Sequence, residues 1–423
     1  MVKFIALGKY NVQYKYIWCL VASRLIYSYF FTYSTFAERY KFVTLEFPNS
    51  IFIKEFFEYI ILFICSLIFY QIEMYHKKKL SSDPNSSHEK NFKKKLIYAN
   101  KNVFKLPWTF YISILSFVLS NLLIDHFYHV SLGGLDFWEL ELIFISFINS
   151  MLFKKQVYIH QKLSIYFIII SCIIIKYIDI INVFKDDNQK KIHKEYIYLI
   201  PLSLIGFILF IFLQSYVYCK AKYYFDYKYI SINKYLIWSG LIGMIITFLG
   251  GFIASFKECI HYKKFSYASY ICKVYEDYNH RYYDNFKIFF KKLWDEKYNT
   301  FINILRIFLF ILKNFNSFLT TYFTFLIIKN LSPEYFICAN SIYYFIISSF
   351  SLVDFLISKK GTLDLNIISE FITIIGTAIY LEFIELEFCG LDYYLKEKIR
   401  NRSISELTEL SSFEEEIEDL DDD

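Results

Sequence analysis

Residues 122–181 read LLIDHFYHVSLGGLDFWELELIFISFINSMLFKKQVYIHQKLSIYFIIISCIIIKYIDII. One apolar run closes on Asp125, His126 and His129. Gly133–Gly134 breaks the chain, and a second run extends to Phe153. Lys154–Lys155 interrupts again, and a third run continues from His160 to Ile181. A helix needs roughly 20 largely apolar residues to cross the hydrocarbon core. The stretch therefore reads as the end of one span, a tight glycine turn, a second span, a short basic link and a third span.

The rest of the chain repeats this pattern. Ten apolar stretches of spanning length emerge, at 16–37, 52–75, 108–129, 135–153, 160–181, 197–219, 234–256, 301–328, 335–357 and 366–388. The second is weakest at its start, where Lys54, Glu55 and Glu58 fall in the first two turns. Pro48, Pro107 and Pro333 precede helices, where a missing N–H costs least. Hydrophobic residues make up 56% of the 423 and aromatics 22%, more apolar surface than a soluble interior hides. The aromatic load, 48 Phe and 40 Tyr, is spread through every span, which points to general core filling and not to one aromatic cage. Gly240, Gly243, Gly250 and Gly251 in the seventh span predict a close helix contact.

Lys and Arg mark the sides. The connector 76–107 carries nine and 154–159, 220–233 and both termini add more, while 38–51, 130–134, 182–196 and 358–365 are poorer. Positive charge stays on the cytoplasmic side, so both termini are expected there. No cleavable leader is expected, because the first apolar run is too long and lacks a small-residue cleavage site. The long connector 257–300 lies opposite, and within it 284–297, DNFKIFFKKLWDEK, has the partition of an amphipathic interfacial helix. Cys259 and Cys272 lie in that connector and can pair in a disulfide if that side is oxidising. The tail 391–423 ends in FEEEIEDLDDD.

The tight turn between spans three and four recurs between spans eight and nine, at the same place in each set of five. This predicts an all-α membrane protein of ten transmembrane helices in a five-plus-five inverted repeat, a transporter plan. Its parts are a cytoplasmic N-terminus 1–15, a first half 16–181, a connector 182–196, a second half 197–390 and the acidic tail 391–423. The expected partners are a small-molecule substrate and the lipid bilayer. Nucleic acid is not expected, since the basic residues flank apolar runs instead of forming one face. No cofactor motif, metal spacing or CxxC is present.

The helix, glycine turn, helix, basic pair and HQKLSIYFIII of 122–181, with 318–385 as its counterpart, resemble the drug/metabolite transporter superfamily. The nearest likeness is to its chloroquine-resistance-transporter-like and nucleotide-sugar-transporter-like branches. The two-cysteine connector is similar to a cysteine-bearing lumenal loop in the former, which has four cysteines. The resemblance implies secondary transport, an endomembrane such as Golgi, ER or vacuole ahead of the plasma membrane, and a cavity lined by the fourth and ninth helices. By it, Glu139, Ser146, Asn149 and Ser150 on span four, and Asn340, Tyr343, Tyr344 and Ser348 on span nine, are cavity candidates.

Charges inside spans require a reason, because each costs about 2.5–3.5 kcal/mol at the bilayer centre. Arg24 in span one is either a snorkelling cation or a partner for substrate charge. Glu139 and Glu141 open span four. Asp125 and His129 are i,i+4 neighbours, a pairing that suits proton transfer or a solvated helix end. Lys313, mid-span in the eighth, must face the bundle interior or water, and Glu370 and Glu382 are its candidate partners. An integral membrane lipid-modifying enzyme would need clustered His, Asp or Cys at one interface, and DHFYH is the only such cluster. A tethering protein is the third reading, and it leaves buried charges unexplained.

Overall fold

The computed structural model describes residues 2–4, 15–26, 52–81, 106–130, 140–154, 156–185, 199–256, 284–294, 299–358 and 366–386. Among these residues the chain forms eleven helices and one pair of three-residue strands. The helices are α1 (Lys15–Ile26), α2 (Phe52–Ser81), α3 (Trp108–Val130), α4 (Leu140–Phe153), α5 (Ile159–Lys185), α6 (Leu199–Tyr227), α7 (Ile232–Phe256), α8 (Phe286–Leu293), α9 (Thr300–Asn330), α10 (Pro333–Ser358) and α11 (Asn366–Tyr380). The strands are β1 (Val2–Phe4) and β2 (Ile384–Leu386), antiparallel, with Val2 opposite Leu386. The start of the chain thus meets the segment just after α11.

Each apolar stretch expected to span contains one helix, and α8 falls in the long connector. Among the described residues, three helices are long and apolar enough to cross a membrane: Ile205–Tyr227 within α6, α7 and α9. Shorter apolar helical segments occur at Trp108–Leu123, Leu140–Phe153, Ile159–Ile174 and Glu370–Tyr380. Large apolar side chains stand outward along them, among them Ile173, Ile205, Ile253, Phe256, Phe301 and Phe308. Several apolar helices with apolar outer faces fit a membrane-embedded protein. The glycine turn at 133–134, Glu139, Cys259 and Cys272 lie outside the described residues. So do the Asp125, His129, Lys176 and Asp179 side chains, although their backbones are helical.

Local chemistry sets the helix ends. Asn299 caps α9, its side-chain oxygen accepting from Ile302 N–H at 2.9 Å. Only Leu331 and Ser332 separate α9 from Pro333, the first residue of α10. This is the expected tight turn between spans eight and nine. Span ten is shorter than expected. Its helix ends at Tyr380, where Glu382 takes a left-handed φ of 61° and the chain turns into β2.

Packing is most extensive between α2 and α7. A Cβ on Gly240 of α7 would sit 2.8 Å from the Phe63 backbone of α2, and one on Gly243 would meet the Tyr59 ring. The glycines therefore do let these two helices approach closely, as the sequence predicts. Helix α5 packs on α11 through small and hydroxyl residues. Ser164 Oγ–H donates to Gly376 C=O, and Ser171 and Thr373 share a hydrogen bond of 2.6 Å. The remaining neighbours include α3 with α6 and α7, α1 with α9 and α10, α2 with α9, α4 with α6 and α10, and α10 with α11.

The aromatic residues form the core at these crossings. Phe110 meets Tyr224 and Tyr235, and Tyr235 meets Phe325, at ring separations of 5.0–5.5 Å. Their hydroxyls are satisfied: Tyr224 O–H donates to Thr109 Oγ1, and Tyr235 pairs with Ser113. Helix α8 docks on the bundle. Its Phe289 is fully buried against Phe57 and Phe310, and Asp284 just before it accepts from Ile53 N–H in the first turn of α2 at 3.1 Å.

Candidate functional site

Helix α10 touches α1, α4, α6, α9 and α11, more neighbours than a peripheral helix has. Even so, six successive residues, Ile342 to Ile347, are each half-exposed. Six residues cover more than one full helical turn. A lipid-facing side alone would expose only part of that circle, so accessible surface also reaches the faces that α10 turns toward its neighbours.

Charge gathers beside this stretch. The Arg24 guanidinium, in the last turn of α1, lies over Phe336 at 5.4 Å and over Tyr343 at 5.7 Å, both on α10. Arg24 makes no hydrogen bond or ion pair among the described residues. Glu141, in the first turn of α4, is 1% exposed, and neither carboxylate oxygen has a hydrogen-bond partner among the described residues. Tyr218 of α6 closes the group. Its ring meets Phe336 at 4.8 Å, and its hydroxyl accepts from Gln214 Nε2.

A buried carboxylate without a donor is expensive, so its retention calls for a use. The backbone around it is well fixed: Ser215 Oγ donates to Glu141 C=O at 3.4 Å, and Cys219 Sγ to Ile145 C=O at 3.9 Å. One helical turn from Phe336, Asn340 is buried with its Oδ1 unpartnered among the described residues.

Further along α4, Asn149 Nδ2 donates to Glu334 Oε1 at 2.7 Å, while the second Glu334 oxygen and Asn149 Oδ1 lack partners among the described residues. Ser146 meets the Tyr380 hydroxyl. Beyond Tyr380, His160 Nε2 lies 3.4 Å from Glu382 Oε1, both buried, at the start of α5.

Of the candidates read from sequence, Arg24 lies against Tyr343, Asn149 bonds Glu334 and Asn340 is buried on α10, while Ser146 meets Tyr380. Tyr344 stacks edge-on to Tyr343 at 5.1 Å. Lys313 is half-buried on α9. Glu382 lies against His160. On the far side of α1, the polar face of α9 is used in packing: Asn316 Nδ2 donates to Ser23 C=O and Ser317 Oγ to Glu58 Oε2, each at 2.9 Å. No cluster of His, Cys, Asp and Glu suited to a metal occurs among the described residues.

Tyr218, Glu334, Phe336 and Tyr380 were not expected in the site, and Glu141 was considered only beside Glu139. The available signal was spacing, since Glu141, Ile145 and Asn149 recur every four residues along one face.

No protein-family model matches this chain, and no curated protein matches it.

Proposed function

We propose that this chain is a ten-span secondary transporter that moves a small polar or charged metabolite by alternating access, with its solute site at Arg24, Glu141, Tyr218 and Tyr343. The carrying observation is the place of the unpaired charges. Arg24 and Glu141 belong to the first five helices of the proposed repeat and Tyr218 and the Phe336–Tyr343 face to the second five, and Arg24 and Tyr218 both lie against Phe336.

The packing supports a five-plus-five inverted repeat. Exchange α1 with α6, α2 with α7, α3 with α9, α4 with α10 and α5 with α11. The contact α3–α6 then becomes α9–α1, α4–α6 becomes α10–α1, α3–α7 becomes α9–α2, and α10–α11 becomes α4–α5. The pairs α2–α7, α5–α11 and α4–α10 map onto themselves. The packings of α9 on α6, α7 and α10, and of α10 on α6, have no counterpart of the same extent. Five helices per half means that the second half enters the membrane from the opposite side. A site at the repeat interface is the transporter arrangement, and it agrees with the superfamily that residues 122–181 resemble.

The test is exchange across proteoliposomes. Purified protein is reconstituted and offered labelled amino acids, short peptides, nucleotide sugars and polyamines, with matching unlabelled solute inside. At least one class should exchange saturably, and Glu141→Gln should abolish that exchange while retaining a cooperative thermal transition. Exchange no faster than in protein-free liposomes for every class would refute the reading.

A further inference from the structure

We propose that the meeting ends of α4, α5, α10 and α11 are a closed gate, latched by Asn149–Glu334 and His160–Glu382, so that the path beside α10 is shut where α9 turns into α10. This rests on the transporter reading. The carrying fact is a change of burial along α10. From Pro333 to Ser341 eight of nine residues are buried, although this stretch begins at a helix end, whereas Ile342 to Ile347 are all half-exposed.

The buried end is crossed by polar contacts, each joining a different pair of elements. Near the end of α4, Asn149 Nδ2 donates to Glu334 Oε1, in the first turn of α10, at 2.7 Å. Three residues earlier on α4, Ser146 bonds the hydroxyl of Tyr380, the last residue of α11. In the first turn of α5, His160 Nε2 lies 3.4 Å from Glu382 Oε1, in the turn that follows α11. The rings of Tyr335 and Phe383 meet at 5.7 Å and fill the space between α10 and that turn. All six polar partners are more than nine-tenths buried.

These contacts differ in kind from the permanent packing of α5 on α11, where hydroxyls meet a backbone carbonyl or each other, as Ser164 meets Gly376 and Ser171 meets Thr373. At the gate, groups that water solvates well are held by single side-chain contacts, and each such contact is exchangeable for water at modest net cost. Glu334 Oε2 and Asn149 Oδ1 have no partner among the described residues, so hydration on opening would satisfy two acceptors that closure leaves bare. The gate is therefore poised, and a solute that binds the two states unequally can shift it.

Access to Tyr343 tests this. A chain with its eight native cysteines replaced carries Tyr343→Cys in sealed vesicles. A second chain carrying Asn330→Cys, exposed at the last residue of α9, identifies the gate side. A membrane-impermeant thiol reagent on that side should label Tyr343→Cys slowly, and Glu334→Ala should speed labelling roughly tenfold, as loss of a buried hydrogen bond to a charged group implies. His160→Ala, which breaks a different helix pair, should act in the same direction. Glu334→Gln, whose amide oxygen still accepts from Asn149, should stay near the parent rate, and every variant should keep a cooperative thermal transition. Equal rates in the parent, Glu334→Ala and His160→Ala chains overturn the inference. So does equal acceleration from both sides, which reports general loosening. Gate-dependent labelling without exchange of any solute class would leave a gated path standing and remove the transporter reading. Solute exchange by the native chain, with labelling indifferent to Glu334 and His160, would do the reverse.

Discussion

Glu141 carries the strongest residue-scale expectation, because stability and function should move in opposite directions there. Its carboxylate is buried without a donor, at a cost that functional sites tolerate and folding does not favour. Glu141→Gln removes the charge while nearly keeping the shape. The variant should unfold at a higher temperature than the native protein and should lose solute exchange. A lower unfolding temperature would show that the carboxylate has a stabilising partner in the folded state. Sequence reading took Glu139 as the span-four cavity candidate and named Glu141 only beside it. The reason is physical: a helix of almost uniform apolarity does not reveal its rotation about its own axis, and only packing on α6 and α10 buries Glu141. Arg24 was legible for the opposite reason. A lone guanidinium in an apolar run stands out wherever it points.

At the scale of elements, helices among the described residues fall within the apolar runs, because hydropathy is a local property. Ends that depend on distant partners were not legible. Residue Glu382 reads as the continuation of an apolar span, yet the helix stops at Tyr380 because the next residues pair with Val2–Phe4. Likewise, the start of α2 holds Lys54, Glu55 and Glu58 and looked weak. It is held by Asp284, 231 residues away, whose carboxylate accepts from Ile53 N–H.

Two expectations follow at this scale. Asp284→Ala should destabilise the protein by about 1 kcal/mol, as loss of a helix N-cap does, read as a lower midpoint in thermal unfolding. Gly240→Ala should cost more, roughly 1–3 kcal/mol, because its methyl would meet the Phe63 backbone at 2.8 Å and backbone cannot rotate away. A Gly240→Ala protein with native stability would mean that α2 and α7 are not packed this closely.

On the scale of the whole molecule, helices far apart in sequence pack together, and Arg24 of α1 lies over Phe336 of α10. Neither property belongs to any one segment. The paired short turns are the sequence signal for the proposed repeat, and the helix contacts it would need form only once the helices are assembled. If the two halves rock about the crossing, the site must open first to one side of the membrane and then to the other. Tyr343, half-exposed beside Arg24, reports on that directly. The decisive measurement is labelling of Tyr343→Cys by a membrane-impermeant thiol reagent, in sealed vesicles of known orientation, on a chain whose eight native cysteines are replaced. Alternating access requires labelling when the reagent is added on either side, slowed from both by bound solute. Labelling from one side only, whatever solute is present, would contradict a transporter built around this site.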